Sequence, residues 1–265
     1  VSPFWELLMA ENYRYVMPLP VKRKFRIKYL MQPLFCQQLG VFSTHQLTAE
    51  VIENFIAAVP YFFYHIQLNA GNIFRSVSLK TKNNFELDLS LSYQEIQKNY
   101  SKNFIRNVRK AKKANLHTIK ETDMDTFRNV IENNSDGRPI KQQISVYFEI
   151  IRCIKKETVA TIWSVEDENS DILSAALFFY WKDRIYYMLP VSTPEGKVKQ
   201  SMSFLLDKLI QMYAGKKITL DFEGSSLPNI ARFYQSTGAN NACFPIITNP
   251  QSLLKTLSFI KRLFR

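Results

Sequence analysis

The residues best placed to do chemistry lie in the segment Lys216-Lys217-Ile218-Thr219-Leu220-Asp221-Phe222-Glu223-Gly224. Read as a strand, it alternates its side chains, so Thr219, Asp221 and Glu223 share one face while Ile218, Leu220 and Phe222 share the other. Two carboxylates then stand roughly 7 Å apart at the carboxyl end of a strand, where open α/β sheets bind their ligands. Like charges that close raise one another's pKa, which brings a carboxylate into the range of a general base near neutrality. The same pair equally suits a structural role, one member capping the next helix or pairing with a buried arginine. That next helix, expected over Pro228–Ser236, carries Tyr234, whose phenol offers either proton transfer or a packed ring on an amphipathic helix.

A second concentration of chemistry is cationic. On a helix beginning after Ser101, Lys102, Arg106, Arg109 and Lys113 fall within an arc of about 60°, opposite Phe104, Val108 and Ala111. No acidic residue lies between Glu95 and Glu121, so nothing at i,i+4 neutralises this ridge. It reads either as a solvated face or as a seat for an anionic ligand. Around Gly196, in the turn that follows a strand and precedes a helix, Lys197 and Lys199 offer point charges to a phosphate or simply solvate the turn. Gln38, beside Gln37 in an uncharged run, serves a substrate or a turn by hydrogen bonding.

The elements that must position these groups follow from periodicity. Tyr13–Pro18 and Phe25–Met31 flank Val21-Lys22-Arg23-Lys24 as a hairpin, and Val51, Ile52, Phe55 and Ile56 have helical spacing. Strand composition returns over Tyr61–Leu68, Phe74–Leu79 and Phe85–Leu91. Ser92-Tyr93-Gln94-Glu95 has capping-box spacing, and Ser101 caps a second helix that ends near Asn115. Helices are expected over Met124–Asn133 and Ile144–Lys155. Strands Val159–Val165, Ile172–Phe179 and Ile185–Val191 follow, then a helix over Val198–Tyr213, strand Ile218–Phe222, the helix bearing Tyr234, and strand Asn241–Ile247. The change of character near residue 92 divides the chain into 1–92, 93–250 and a basic amphipathic helix over 251–265.

Composition narrows the classes. The 265 residues are 46% hydrophobic and carry a net charge of +12, which describes a folded chain with anionic partners rather than a disordered one. Only seven glycines are present, no two close enough to write a dinucleotide-binding turn or a Walker A loop. Three cysteines and three histidines stand singly, without zinc-ligand spacing, so no metal is expected. The odd cysteine count suits a reducing compartment, with the cytoplasm as the default. No apolar run reaches the roughly 20 residues of a membrane-spanning helix, and the missing initiator Met reads as a trimmed N-terminus.

Three antiparallel-type strands, then helix, strand, helix and strand, with Tyr234-Gln235-Ser236-Thr237-Gly238-Ala239 closing the last helix, resemble the core of GNAT-type N-acyltransferases. The resemblance is closer to the FemABX-like branch, which transfers acyl or aminoacyl groups, and the stretch Arg106-Asn107-Val108-Arg109-Lys110-Ala111 is similar to the basic helix preceding the second GNAT domain there. The resemblance implies an α/β fold of two GNAT-like mixed-sheet halves, the first incomplete. It implies an acyl-CoA or aminoacyl-tRNA donor, an amine acceptor such as a cell-wall precursor, and an acyl slot where strands Ile185–Val191 and Ile218–Phe222 splay apart. Glu223 or Asp221 would assist deprotonation of the amine and Tyr234 would protonate the leaving group. Of the glycines that hold the coenzyme A pyrophosphate in GNAT enzymes only Gly196 stands here, which puts acyl-CoA in doubt and suits a tRNA-borne donor. Asn229 falls five residues before Tyr234 rather than the family's seven and inherits no role. The other reading is a non-catalytic anion or nucleic-acid binding protein on the same scaffold, for which the net charge and the ridge speak.

Overall fold

A computed structural model describes residues 4–75, 79–135, 144–157, 159–224 and 227–249. The helix expected over 251–265 lies outside the described residues. The chain divides into two compact units, one of residues 1–83 and 242–265, the other of residues 84–241.

In the first unit, β1 (Phe4–Ala10) pairs antiparallel with β2 (Tyr15–Lys24), and β2 with β3 (Ile27–Met31). The expected hairpin therefore forms, but its strands run on through the basic segment to a two-residue turn. That turn, Phe25-Arg26, has φ of 48° and 67°, the left-handed pair that a twisted two-residue hairpin requires and that Asn-Gly ordinarily supplies. A short β4 (Phe42–Ser43) pairs with β2. Helix α1 (Ala49–Ala57) starts at Thr48, whose hydroxyl accepts the Val51 N–H at 3.3 Å, and turns Ile52 and Phe55 into a core with Met17, Leu19, Leu30 and Ile66. With β5 (Tyr64–Gln67), β6 (Lys80–Lys82) and β14 (Phe244–Asn249), the last strand among the described residues, the sheet order is β1-β2-β3-β5-β14-β6.

The second unit opens with β7 (Phe85–Asp88) and α2 (Tyr93–Lys98), where the capping box is complete: the Ser92 hydroxyl accepts from the Glu95 N–H and the Glu95 carboxylate from the Ser92 N–H. Ser101 caps α3 (Lys102–Lys112), which buries Phe104, Val108 and Ala111. After β8 (His117–Lys120), whose four residues carry no strand-like pattern of burial, come α4 (Met124–Asn134) and α5 (Ile144–Glu157). β9 (Val159–Glu166), β10 (Ile172–Trp181) and β11 (Arg184–Ser192) form an antiparallel meander. β10 is buried from Leu173 to Phe179, the continuous apolar run expected of a strand covered on both faces. The helix expected over Val198–Tyr213 is two, α6 (Pro194–Lys199) and α7 (Ser201–Tyr213), because Gln200 takes a left-handed φ of 59° between them. β12 (Thr219–Asp221), α8 (Pro228–Gln235) and β13 (Asn240–Asn241) complete the unit.

The second sheet runs β13-β7-β12-β11-β10-β9-β8. Since α6 and α7 carry the chain across the sheet from β11, β12 lies parallel to β11, in the manner of a crossover unit. β7 pairs antiparallel with β12 and β13, so the division between units falls at Asn83/Asn84 and not at residue 92. The strand expected over Asn241–Ile247 is likewise shared: β13 closes the second sheet and β14 enters the first, which moves the second division to Asn241/Ala242 instead of residue 250.

Candidate active site

Register, more than sequence proximity, builds the site. Asp221 stands opposite Glu86 of β7 on one side and Tyr186 of β11 on the other. Alternation then places Glu86, Arg184, Tyr186 and Asp221 on one face and Leu87, Ile185, Tyr187 and Leu220 on the other. Arg184 forks between the two acids, its Nη1 lying 2.9 Å from Asp221 Oδ2 and 3.0 Å from Glu86 Oε1, its Nη2 3.1 Å from Glu86 Oε2. Asn84, fully buried, donates from Nδ2 to Asp221 Oδ1 at 3.1 Å and to Glu86 Oε1 at 3.3 Å. Those two bonds fix the amide's orientation and leave its Oδ1 buried without a hydrogen-bond partner. Of the roles open to Asp221, pairing with an arginine is the one its geometry displays, although Arg184 is half-buried rather than buried.

Strand β12 ends at Asp221, and Glu223 turns out of it with a left-handed φ of 56°. The turn brings the Glu223 N–H to Asp221 Oδ1 at 2.9 Å. Burial, reinforced by the Asp221 charge and opposed by Arg184, pushes the Glu223 carboxyl from 4.5 up to about 8. Burial is also the largest influence on Asp221 and raises its pKa; the Glu223 amide, Asn84 and Arg184 pull the other way without cancelling it. Tyr186, raised chiefly by burial, feels the charges of Arg184, Asp221 and Glu223. The two acids therefore differ: Asp221 is tied into a network with Arg184 and Asn84, while Glu223 exchanges its proton close to neutrality.

Tyr234 is on the other side. Its ring is buried, stacked on Phe222 with centroids 4.7 Å apart and edge-on to Tyr187 at 6.0 Å and Phe85 at 6.1 Å. Phe222 belongs to that face because its N–H continues the ladder, bonding the Phe85 carbonyl at 2.9 Å. Asp221 and Glu223 are brought together; Tyr234 is separated from the Arg184 network by the sheet. Parallel pairing of β11 with β12 stops at Tyr186 and Asp221 although β11 continues to Ser192, so the two strands part where the acyl slot is expected. Gly238, at φ 84°, closes α8 against Asn99, where an added Cβ would meet the Asn99 Cβ at 2.9 Å.

The turn after β11 has other duties. The Gly196 N–H donates to the Thr193 hydroxyl at 2.9 Å, and a Cβ at this position would lie 2.0 Å from the Leu173 carbonyl oxygen. The glycine is explained by close packing on β10. Lys199 is held by Asp167 at 3.1 Å and Glu195 at 2.7 Å, while Lys197 is exposed. Lys102, Arg106 and Arg109 on α3, and Lys113 at its C-cap, are exposed as the helical pattern requires. Beside them Lys112 reaches the fully buried Asp207 at 3.5 Å; Asp207 also accepts from the Tyr93 hydroxyl at 2.7 Å and the Tyr100 hydroxyl at 3.3 Å. A cleft of about 430 Å³ opens there, lined by Gln94, Gln97, Lys98, Tyr100, Arg109 and Lys112 among others. Gln38 lies in the first unit, where it donates to Gln37 Oε1 at 3.0 Å and accepts the Ala70 N–H at 2.9 Å, the bonding of a turn.

Sequence reasoning misses Asn84, Glu86 and Arg184. A signal for them exists: Phe85-Glu86-Leu87-Asp88 alternates apolar and acidic residues, the signature of a strand with one polar face. Among the described residues no three side chains gather as a metal site, and no helix is long and apolar enough to cross a membrane.

No protein-family profile matches the sequence and no curated protein matches it. Solved structures do. The chain is similar to FemX, with a TM-score of 0.63 at 12% identity over 95% of this chain and 90% of that one. It is similar to L-PGS from Bacillus licheniformis, with a TM-score of 0.55 at 11% identity over 98% of this chain and 88% of the other. The C-terminal domain of a putative lysylphosphatidylglycerol synthetase from Agrobacterium fabrum gives 0.54 at 7% identity over 94% and 85%. The fold is the FemABX-like α/β one, two mixed sheets with helices, as the sequence resemblance implies.

Proposed function

We propose that this chain is an acyl- or aminoacyl-transfer enzyme that moves the acyl group of a thioester or a tRNA ester to an amine, with Glu223 carrying the proton. The observation that supports this reading is a carboxyl of pKa about 8 beside the point where β11 and β12 part. In the reaction the amine nitrogen bonds to the acyl carbonyl carbon, the C–S or C–O bond to the donor breaks, and the amine must lose a proton that the leaving group gains. A carboxyl that titrates near 8 takes that proton as carboxylate and returns it as acid, because its pKa is close to the working pH. Asp221 raises Glu223 through its charge and is itself held by Arg184 and Asn84. Tyr234 fixes Phe222, and through it the turn that carries Glu223; a proton donated by its phenol to the leaving group would have to come from the opposite face. Lys102, Arg106, Arg109 and Lys113 hold phosphates of donor or acceptor. A tRNA-borne donor is favoured over acyl-CoA because the Gly196 amide is already bonded to Thr193.

The test is transfer of a labelled acyl group from acyl-CoA and from charged tRNA to amines, for the wild type and Glu223→Gln. Loss of a general base lowers the rate about 10²–10⁴-fold, with donor binding by calorimetry unchanged. The wild-type rate should climb with pH until about 8 as Glu223 ionises. Equal transfer by Glu223→Gln and wild type would overturn the assignment. A second reading, a non-catalytic anion or nucleic-acid binder, is favoured by the exposed ridge on α3; it predicts no transfer from either donor and RNA binding that weakens steeply with salt.

A further inference from the structure

The β2–β3 turn has no part in that chemistry, and its composition is unusual for a solvent-exposed tip. Phe25 is 71% exposed and Ile27 53%. Phe25 and Arg26 both take left-handed φ, a strain that Asn or Gly would avoid, and the Phe25 ring is left in solvent nonetheless. Around the tip stand Lys22, Arg23, Lys24, Arg26 and Lys28. No acidic residue occurs between Glu11 and Glu50, so the segment itself supplies no counter-charge to these five cations; Lys28 reaches back to Glu6 at 3.1 Å. Lys24 Nζ lies 5.5 Å from the Phe25 ring centroid, so its stem follows the ring and leaves its head beside it. About 10 Å behind the turn, at three residues of strand, register sets Phe4 beside Val21 and Trp5 beside Pro20, 65% and 43% exposed. Leu7 and Met9 extend the Trp5 face along β1, also exposed.

An apolar tip collared by long cationic side chains has the chemistry of a lipid interface. Aromatic and branched side chains enter the headgroup zone, while Lys and Arg stems lie along them and keep their charges at the phosphates. Each such cation near an anionic leaflet is worth about a fivefold gain in partitioning at low salt. A nucleic acid would be met by the same charges, but a single-strand binder presents its aromatics in a groove with bases stacked on them, whereas Phe25 projects from a two-residue turn with the aliphatic Ile27 at the head of β3 beside it. We propose that the tip formed by Phe25 and Ile27, with Arg23, Lys24 and Arg26 behind it, docks the protein on an anionic lipid surface. This proposal is independent of the catalytic reading above.

The experiment is co-sedimentation of the 265-residue chain with sucrose-loaded vesicles, either pure phosphatidylcholine or phosphatidylcholine containing about a third phosphatidylglycerol. The wild type should favour the anionic vesicles and lose most of that preference in high salt. Phe25→Ser with Ile27→Ser should weaken partitioning tenfold or more, and Arg23→Ser with Lys24→Ser and Arg26→Ser roughly a hundredfold at low salt. All these positions are exposed, and unchanged thermal melts would show that the variants fold. Equal partitioning to both vesicle types, or variants that bind as the wild type does, would overturn the proposal. So would RNA binding that the same variants weaken while their vesicle binding stays intact.

Discussion

Three adjacent strands, β7, β12 and β11, present two surfaces whose residues alternate one by one yet share almost no chemistry. On one surface Glu86, Arg184, Asp221 and Asn84 form a charged network. On the other Phe85, Tyr187, Phe222 and Tyr234 form an aromatic stack. The contrast separates two tasks. The aromatic surface is buried by α8 and holds the strands without directional demands beyond ring packing. On the charged surface Arg184 binds Glu86 and Asp221, while Glu223 leaves the strand at a left-handed turn and has its carboxyl pushed up to about 8. Ring packing is thus concentrated on one side and charge on the other, and Phe222, which belongs to the first, sits in sequence between Asp221 and Glu223.

Three measurements would break or sharpen that division. The largest expected effect is on the aromatic side: Tyr234→Ala should cost about 3–5 kcal/mol by chemical denaturation, the usual loss for a buried aromatic ring. Tyr234→Phe keeps the ring and should cost about 1 kcal/mol, the worth of a hydroxyl's bonding; a rate collapse in that variant would return Tyr234 to the proton chemistry. On the charged side, Arg184→Met should destabilise by about 2–4 kcal/mol, less than a wholly buried pair because Arg184 is only half-buried, and it leaves two carboxylates facing each other. It should also raise the Glu223 pKa further, moving the pH profile of transfer upward. The third measurement is the pH dependence of stability. The folded pKa of Glu223 stands above its ordinary 4.5 at about 8, so its favourable contribution is complete below 4.5 and is lost as pH rises through 8. Glu223→Gln imitates the protonated form. It should melt with the wild type at pH near 4 and clearly above it at pH near 9, and equal melting at both would break the assignment of an elevated pKa.

How far the sequence foretells this depends on whether a feature is local. The capping box at Ser92 and Glu95, the Ser101 cap, and the apolar stripe Phe104-Val108-Ala111 are written within one or two helical turns, and each forms as expected. The meander β9-β10-β11 follows from strand composition and from the polar hairpin loop at Glu166–Asp171. What fails is whatever depends on register between distant strands. The Arg184 fork unites residues 84, 86, 184 and 221, and alternation within one strand says nothing of which strand lies beside it. Backbone reversals at single non-glycine positions are equally silent: Gln200 splits one expected helix in two, and Glu223 ends β12 before the alternation reaches it. The role of Gly196 inverts for a similar reason, since only the packing of α6 against the Leu173 carbonyl reveals why no side chain fits.

Strand β14 lies between β5 and β6, in the interior of a sheet whose other strands all precede residue 83. On a ribosome the first unit therefore waits with β5 lacking its neighbour, an open edge of the kind that invites wrong pairing, until the chain has been extended past Asn249. The second unit is continuous from Asn84 to Asn241 and is complete before β14 emerges. The later-made unit can therefore set first, whereas the earlier-made one needs β14 to complete its sheet.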